Sequence, residues 1–216
     1  MRPRTTGLDG TPAAGKACDM AWRLLYGSNH PHGAATMFIT PPPIVVPDPV
    51  IRDRTAYYEV VGAHEPDLVR EMNEKGPAKA DGTYWAFTET GTSWTYDTKI
   101  TGAACVIVKP MVTVSINMTL PKWTPPPGVD QKVVGKWNAM YAALHRHEGE
   151  HAQFARDTAH ALTALMREHP SDSTCERLDA YLQAHGREIT EREKQRNAEL
   201  DARTGHGAAE GVGIAW

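Results

Sequence analysis

Residues 130–168 read DQKVVGKWNAMYAALHRHEGEHAQFARDTAHALTALMRE and form the longest regular pattern in the chain. Apolar side chains recur there at spacings of three and four, which is typical of the buried face of an amphipathic helix. Asp130 is suited to cap the start of this helix, and His169-Pro170 ends it. The buried face comprises Trp137, Met140, Tyr141, Leu144, His147, His151, Phe154, Leu162 and Leu165, together with Thr158. The pattern therefore predicts one long helix that packs this face against a core.

The same face contains the spacing His-Glu-x-x-His, as His147, Glu148 and His151. Residues four apart lie on one side of a helix, so both imidazoles can hold one Zn²⁺ while Glu148 reaches a zinc-bound water. Two imidazoles and a carboxylate on an apolar face would be costly to bury without partners. The motif therefore predicts a zinc site with Glu148 as general base, and a metal-free buried histidine pair is the alternative.

Length and charge limit the class of protein. The chain has 216 residues and a net charge of -3, with acidic and basic residues intermixed. This length suits one domain, or one domain with a tail, and the charge pattern predicts no nucleic-acid or polybasic membrane surface. No stretch approaches the roughly 20 apolar residues of a membrane-spanning helix, and no signal peptide is visible at the N-terminus. Nothing in the composition indicates an oligomeric state.

We expect two regions. Residues 1–52 are rich in Gly and Pro and predict a flexible or loosely packed arm, and residues 53–216 predict the folded domain. The domain begins with a β half, in which residues 112–120 alternate apolar and polar side chains. Hairpin-length connections predict an antiparallel sheet, whose polar face lies in water or lines a substrate cleft. The predicted strands are residues 55–61, 83–89, 92–98 and 106–120, with a short helix at 66–73.

A second helix follows a short turn at residues 169–172. Ser173 and Glu176 have capping-box spacing, and the helical pattern continues to about residue 200. The fold class is therefore predicted as α+β, with an antiparallel β-sheet followed by a long helical hairpin that carries the His-Glu-x-x-His motif. Equal counting from the turn places residues 190–194 opposite the motif. Glu191 and Glu193 are then candidates for a third zinc ligand.

Two further candidates come from the motif helix and the tail. In the metzincin pattern a glycine and a third histidine follow the motif, but Phe154 and Asp157 occupy those positions. Because no glycine bends the helix there, Asp157 is expected to point away from the metal. His206 lies between Gly205 and Gly207, and such a backbone can fold tightly back on a site. The residues alone leave the third ligand open.

The three cysteines, Cys18, Cys105 and Cys175, have no C-x-x-C spacing, so a thiolate zinc site is not predicted. An odd number allows at most one intrachain disulfide. Cys105 and Cys175 are the candidates because both lie in the predicted folded region, and two buried thiols are the alternative.

Several segments, in their common order, resemble the bacterial family of predicted secreted zinc-dependent proteases, a formerly uncharacterised domain family with a zincin-like motif. The resemblance covers about residues 54–212. The matching segments are Tyr57-Tyr58-Glu59-Val60-Val61-Gly62, Gly76-Pro77, the Trp94 and Tyr96 strand, Gly102-Ala103-Ala104-Cys105, Thr119-Leu120-Pro121-Lys122-Trp123, Trp137, His147-Glu148-Gly149-Glu150-His151, Cys175 and Asp201-Ala202-Arg203-Thr204-Gly205-His206-Gly207.

The resemblance implies an extracytoplasmic zinc metallopeptidase, periplasmic or secreted, that hydrolyses a peptide or protein substrate with a zinc-bound water activated by Glu148. It also implies a Cys105–Cys175 disulfide. It favours His206 as third ligand, with Asp201 either supporting the ligands or competing for that position. The rival hypothesis is a non-catalytic, zinc-stabilised protein-binding module of the cell envelope. That module would need a fourth protein ligand to close the metal site.

Overall fold

The fold consists of a sheet, in which a long central strand has a neighbouring strand on each side, and of two long helices. The computed structural model describes residues 44–80 and 82–212, so most of the predicted arm, residues 1–43, lies outside the described residues. The elements are β1 Val50–Val60, α1 Glu65–Lys75, β2 Ala78–Lys79, β3 Gly82–Thr83, β4 Phe87–Thr101, β5 Ala104–Trp123, α2 Gln131–Glu168, β6 Ser171–Asp172, α3 Cys175–Thr204 and a 3-10 turn Ala208–Glu210. This is the predicted α+β class.

Strand β5 occupies the centre of the main sheet, in the order β1-β5-β4. β4 pairs with β5 antiparallel, as expected, and so does the short β6, which was predicted as part of a turn. β1 pairs with β5 parallel, from Val50 opposite Thr113 to Val60 opposite Trp123. The prediction of a purely antiparallel sheet is therefore wrong. Parallel pairing needs a long crossover, and here α1 and β4 lie between β1 and β5 along the chain.

Strand β4 is continuous where the sequence analysis predicted two strands. Gly91 pairs with Ser115 in regular register, so the chain does not turn at Thr90-Gly91. Glycine alone does not make a turn when both flanking segments have a partner strand. The register changes further along, between Thr95 and Asp97.

The alternating pattern of β5 separates the two faces of the sheet as predicted. Val112, Val114, Ile116, Met118 and Leu120 are all buried in the hydrophobic core. Thr88 of β4 lies opposite Met118 and donates a hydrogen bond of 3.1 Å to the backbone oxygen of Glu148. Because side chains opposite each other share a face, the apolar face is the one that meets α2. The polar side chains of residues 113–119 lie on the other face, away from the motif, which agrees with the expected face in water and not with the alternative that they line a cleft at the motif.

Both long helices begin at side-chain caps. The carboxylate of Asp130 accepts a hydrogen bond of 2.8 Å from the amide of Lys132, which confirms the predicted start of α2. The cap of α3 is Thr174, whose hydroxyl accepts from the amide of Arg177, and not the expected Ser173. Ser173 is displaced from that role because its amide and hydroxyl both bond to Asp172.

Helices α2 and α3 run antiparallel but are shifted relative to the predicted hairpin. Asn197 and Asp201 face the motif, whereas equal counting placed residues 190–194 there. The shift is about two helical turns. The connection is longer than a tight turn because β6 pairs with β5 at Cys105 and Val106 before α3 begins. The connection is therefore held against the sheet. Equal counting from its centre along α2 and α3 then does not give the residues that face each other.

A disulfide joins Cys105 to Cys175, with their Cα atoms 5.0 Å apart, and confirms the predicted pair. It attaches the first residue of α3 to β5. Further along, α3 lies close to β4 at Gly186, where an added Cβ would come within 2.9 Å of the Trp94 ring. Tyr96 also donates a hydrogen bond of 2.7 Å to Asp179. These contacts fix the position of α3 against the sheet.

The described end of the predicted arm packs against α2. Val46 is buried in the core, and its backbone oxygen accepts hydrogen bonds from Arg167. Within the described residues no helix is long and apolar enough to cross a membrane.

We predict that replacing Cys105 and Cys175 together with Ala lowers the free energy of unfolding. The bond closes a loop with a sequence separation of 70 residues, and loop-closure entropy gives a loss of about 4 kcal/mol. Urea denaturation of the oxidised protein measures this loss. Cys18→Ala is the matched control, because Cys18 is not part of the bond. Equal midpoints for the double variant and the control would contradict the prediction.

Candidate metal site

Three buried side chains converge between the two long helices. His147 and His151 come from α2, and Asp201 comes from the last turn of α3. The Nε2 atoms of the two imidazoles are 3.3 Å apart, and Oδ1 of Asp201 lies 3.3 Å from His147 Nε2 and 3.2 Å from His151 Nε2. In the described part of the chain, this group has the arrangement needed to hold a metal ion.

The other ring nitrogen of each histidine has its own partner. Nδ1 of His151 lies 2.5 Å from Oδ1 of Asn197, and Nδ1 of His147 lies 3.1 Å from a carboxylate oxygen of Glu210. Both Nε2 atoms are therefore the ones turned towards Asp201. The second oxygen of Asp201, Oδ2, is buried and has no hydrogen-bond partner among the described residues. A buried carboxylate oxygen without a donor is costly unless a cation compensates it.

The charges of the group also favour a cation. Burial alone would raise the pKa of the Asp201 carboxyl, but its hydrogen bonds with His147 and His151 outweigh burial and hold that pKa well below its usual range. Burial alone would lower the pKa of both imidazoles, yet contact with Asp201 raises it, and the net pKa of each is raised. The environment of the carboxylate thus favours positive charge beside it.

Glu148 is a second buried carboxyl beside the histidines, and it is only 6% exposed. Burial raises its pKa, although the nearby His151 and His147 oppose that change. The bond from Thr88 to its backbone oxygen ties this turn of α2 to β4. A carboxyl with a raised pKa next to a metal group can accept a proton and then return it.

The structure places the other ligand candidates differently. His206 lies close, with Nδ1 3.4 Å from Oδ1 of Asp201, but it is not part of the group of three. Glu193 accepts a hydrogen bond of 3.3 Å from Thr90, and the exposed Glu191 pairs with Lys194. The two-turn shift of α3 explains why the two glutamates are not at the motif.

Asp157 points away from the group, as the straight helix predicted. Its carboxylate accepts hydrogen bonds from Gln153 and Arg196, at 2.8 and 3.0 Å. The absence of the metzincin glycine after the motif therefore has the expected structural consequence.

The tail reaches the motif through a reversal of the backbone after α3. Gly205 caps the helix with φ 57°, and Gly207 has φ 81°. A Cβ on Gly207 would come within 3.3 Å of Cγ of His147 and 2.7 Å of a Val212 methyl. Only glycine fits at this position, where the backbone passes against the imidazole of His147.

Two contact residues were missed by the sequence analysis. Asn197 precedes Asp201 by four residues, and that helical spacing would have identified it once Asp201 was placed at the site. Glu210 follows an irregular glycine-rich turn, where no periodicity indicates the direction of a side chain. Only the folded tail reveals its role.

The fold and the site define a class, an α+β protein with a buried His-His-Asp group able to hold a metal ion. The chain matches the family described as Bacterial protein of unknown function (DUF922) over residues 55–207, and it belongs to that family. The matched span contains His147, His151 and Asp201 but ends before Glu210. No curated protein and no solved structure matches the chain.

We predict that the protein binds one divalent cation at this group. Adding Zn²⁺ to chelator-treated protein at a hundred times its dissociation constant should stabilise the fold by about 2.7 kcal/mol. Asp201→Asn removes the carboxylate charge and should weaken binding at least about tenfold. Asp157→Asn is the control, because Asp157 is bonded to Arg196 away from the group. Thermal unfolding with and without Zn²⁺ measures the effect, and equal shifts in both variants would contradict the assignment.

Proposed function

We propose that the protein is a zinc-dependent peptidase whose ion is held by His147, His151 and Asp201. The observation that carries this proposal is the spacing of the three ligand atoms, 3.2 to 3.3 Å from one another. A tetrahedral ion with bonds of about 2 Å separates its ligand atoms by about 3.3 Å. Three protein ligands leave the fourth position open, which is the arrangement of catalytic zinc sites.

Bound zinc would polarise the scissile carbonyl and lower the pKa of water to about 7. Glu148 would be the general base, because its buried carboxyl follows the first ligand directly and burial raises its pKa. It would take a proton from the attacking water and give it to the amine that leaves. This is the general acid–base role that the His-Glu-x-x-His spacing predicts.

A peptide is the substrate class that we propose. Within the described residues, β5 pairs with both β1 and β4 from Thr113 to Thr119, so this stretch has no free edge for a substrate strand. β4 has one partner strand within the described residues, and Thr88 connects it to Glu148. An extended peptide that paired with β4 would bring its backbone towards the proposed base.

An extracytoplasmic location is part of the proposal. Disulfides persist in oxidising compartments, and the Cys105–Cys175 bond is compatible with such a location. The resemblance to predicted secreted zinc-dependent proteases supports the same location and the same activity.

The second candidate function is a non-catalytic, zinc-stabilised protein-binding module. The position of His206 favours it, since its Nδ1 lies 3.4 Å from the Asp201 carboxylate. If His206 joined the three proposed ligands, four protein ligands would close the site and no position would be left for water. The two functions therefore differ in the number of protein ligands.

We predict that Glu148→Gln keeps zinc and lowers the rate of peptide hydrolysis by about 10²–10⁴-fold, because the amide cannot accept the proton. Glu150→Gln is the matched control on the same turn, where the carboxylate is half-exposed and lies 3.9 Å from Arg203. Turnover of an unstructured protein substrate and zinc content are measured for both variants. Full activity in Glu148→Gln would overturn the mechanism.

His206 provides a separate test of the ligand set. We predict that His206→Ala retains one zinc per chain, whereas Asp201→Ala loses it under the same conditions. Zinc content after dialysis against a weak chelator measures both variants. The reverse result would make His206 the third ligand, as the resemblance implies, and loss in both variants together with no hydrolysis by the wild type would favour the closed module.

A further inference from the structure

Asn197 orients His151 through an amide whose direction is fixed. Its Nδ2 donates a hydrogen bond of 2.9 Å to the backbone oxygen of Glu193, so its Oδ1 is the atom that faces the imidazole. An oxygen can only accept, and therefore Nδ1 of His151 carries the hydrogen when the ring is neutral. The lone pair of that ring is then on Nε2, the atom 3.2 Å from Asp201.

Glu210 has the same effect on His147 from a different element. Its carboxylate is an acceptor, so it selects the form of His147 with hydrogen on Nδ1 and the lone pair on Nε2. A chain of tail contacts holds Glu210 in place. The Gly207 amide bonds to the hydroxyl of Thr204, and the amides of Glu210 and Val212 both bond to the Gly207 oxygen.

We propose that Glu210 and Asn197 are positioning residues that each fix one ligand imidazole in the form with its hydrogen on Nδ1, so that both Nε2 lone pairs are presented to the same cation. The tail of residues 205–212 is then part of the metal site, although none of the three proposed ligands lies in it. This inference rests on the proposed zinc site, because without a cation the Asp201 carboxylate lies 3.2 to 3.3 Å from both Nε2 atoms and competes for the hydrogen that Asn197 and Glu210 favour on Nδ1.

This assignment gives a reason for the unusual backbone conformation of the tail, residues 205–212. The backbone after α3 has positive φ at Gly205, His206, Gly207 and Gly211, and Val212 is buried against the domain. Non-glycine residues adopt such a conformation only when their surroundings hold them there. This backbone conformation places the Glu210 carboxylate 3.1 Å from Nδ1 of His147, and that contact is a specific function for the strained segment.

The first experiment uses full-length protein loaded with one equivalent of Zn²⁺ and labelled with ¹⁵N-histidine. Long-range ¹H–¹⁵N spectra report which ring nitrogen carries the hydrogen. The wild type should show it on Nδ1 of His147 and His151. Glu210→Ala should speed solvent exchange of the Nδ1 hydrogen of His147 alone, and Asn197→Ala that of His151 alone, because each hydrogen loses its acceptor. Hydrogen on Nε2 in the wild type, or unchanged exchange rates in both variants, would overturn the proposal.

The second experiment measures Zn²⁺ affinity by competition with a chromophoric chelator. Partners of this kind typically contribute 10–100-fold to metal affinity, so Glu210→Ala and Asn197→Ala should each lose about that factor. Glu210→Gln keeps an acceptor oxygen and the side-chain shape, and should lose less, which keeps the test valid if the Ala variant unfolds. Glu199→Ala, an exposed change on α3, is the control and should bind as the wild type does.

The outcomes separate this inference from the proposed function. Tight binding by the wild type with unchanged affinity in both Ala variants would overturn the positioning role and leave the zinc site standing. No Zn²⁺ binding by the wild type would overturn the proposed function and, with it, this inference. A graded loss from Glu210→Gln to Glu210→Ala, with the control unchanged, supports the positioning role.

Discussion

Two imidazole nitrogens and a carboxylate oxygen, held within 3.3 Å of one another in a buried place, are the interaction on which this structure depends. Three electron-rich atoms at that distance, away from water, repel one another unless positive charge lies between them. A proton can supply that charge, as the raised pKa values of both imidazoles indicate, and so can a metal ion. A metal ion would satisfy all three atoms at once. The low pKa of Asp201 follows from the same arrangement.

The sheet makes this arrangement possible because it positions two helices independently. Thr88 attaches the motif turn of α2 to β4, while the disulfide, Trp94 and Tyr96 attach α3 to β4 and β5. Each helix is thus attached separately to the same sheet. The distance between the site side chains of α2 and α3 is therefore set by the sheet and not by the connection between the helices. This explains how a helical hairpin with an unexpected shift can still hold the two Nε2 atoms and the Asp201 oxygen 3.2 to 3.3 Å from one another.

The helices and the motif could be predicted from the sequence because their signals are local. Periodicity predicts the extent of α2, and the alternation of residues 112–120 predicts the core face of β5. The Cys105–Cys175 pair joins distant residues, and it was predictable only because two of the three cysteines lie in the predicted folded region. The parallel pairing of β1 and the shift of α3 depend on contacts between distant parts of the chain. No local pattern records them, so both predictions were wrong.

The site was predictable to the same extent. His147, Glu148 and His151 lie on one turn of one helix, and their spacing alone brought them together. The resemblance implies only a supporting or competing role for Asp201, because the position of this residue depends on the shift of α3. Asn197 becomes recognisable only after Asp201 is placed, and Glu210 only after the glycine-rich tail is folded. The longer the range of the contacts that position a site residue, the less the sequence alone identifies it.

Helix α3 also sets the distance between the disulfide and the site. It runs without interruption from Cys175, which is bound to β5, to Asp201, which meets the motif. One inserted residue would rotate everything beyond it by about 100° and remove the carboxylate from the histidines. Seven inserted residues would restore the direction but displace the carboxylate by roughly 10 Å. Insertions or deletions in surface loops are therefore compatible with the site. The length of α3 between Cys175 and Asp201 is fixed.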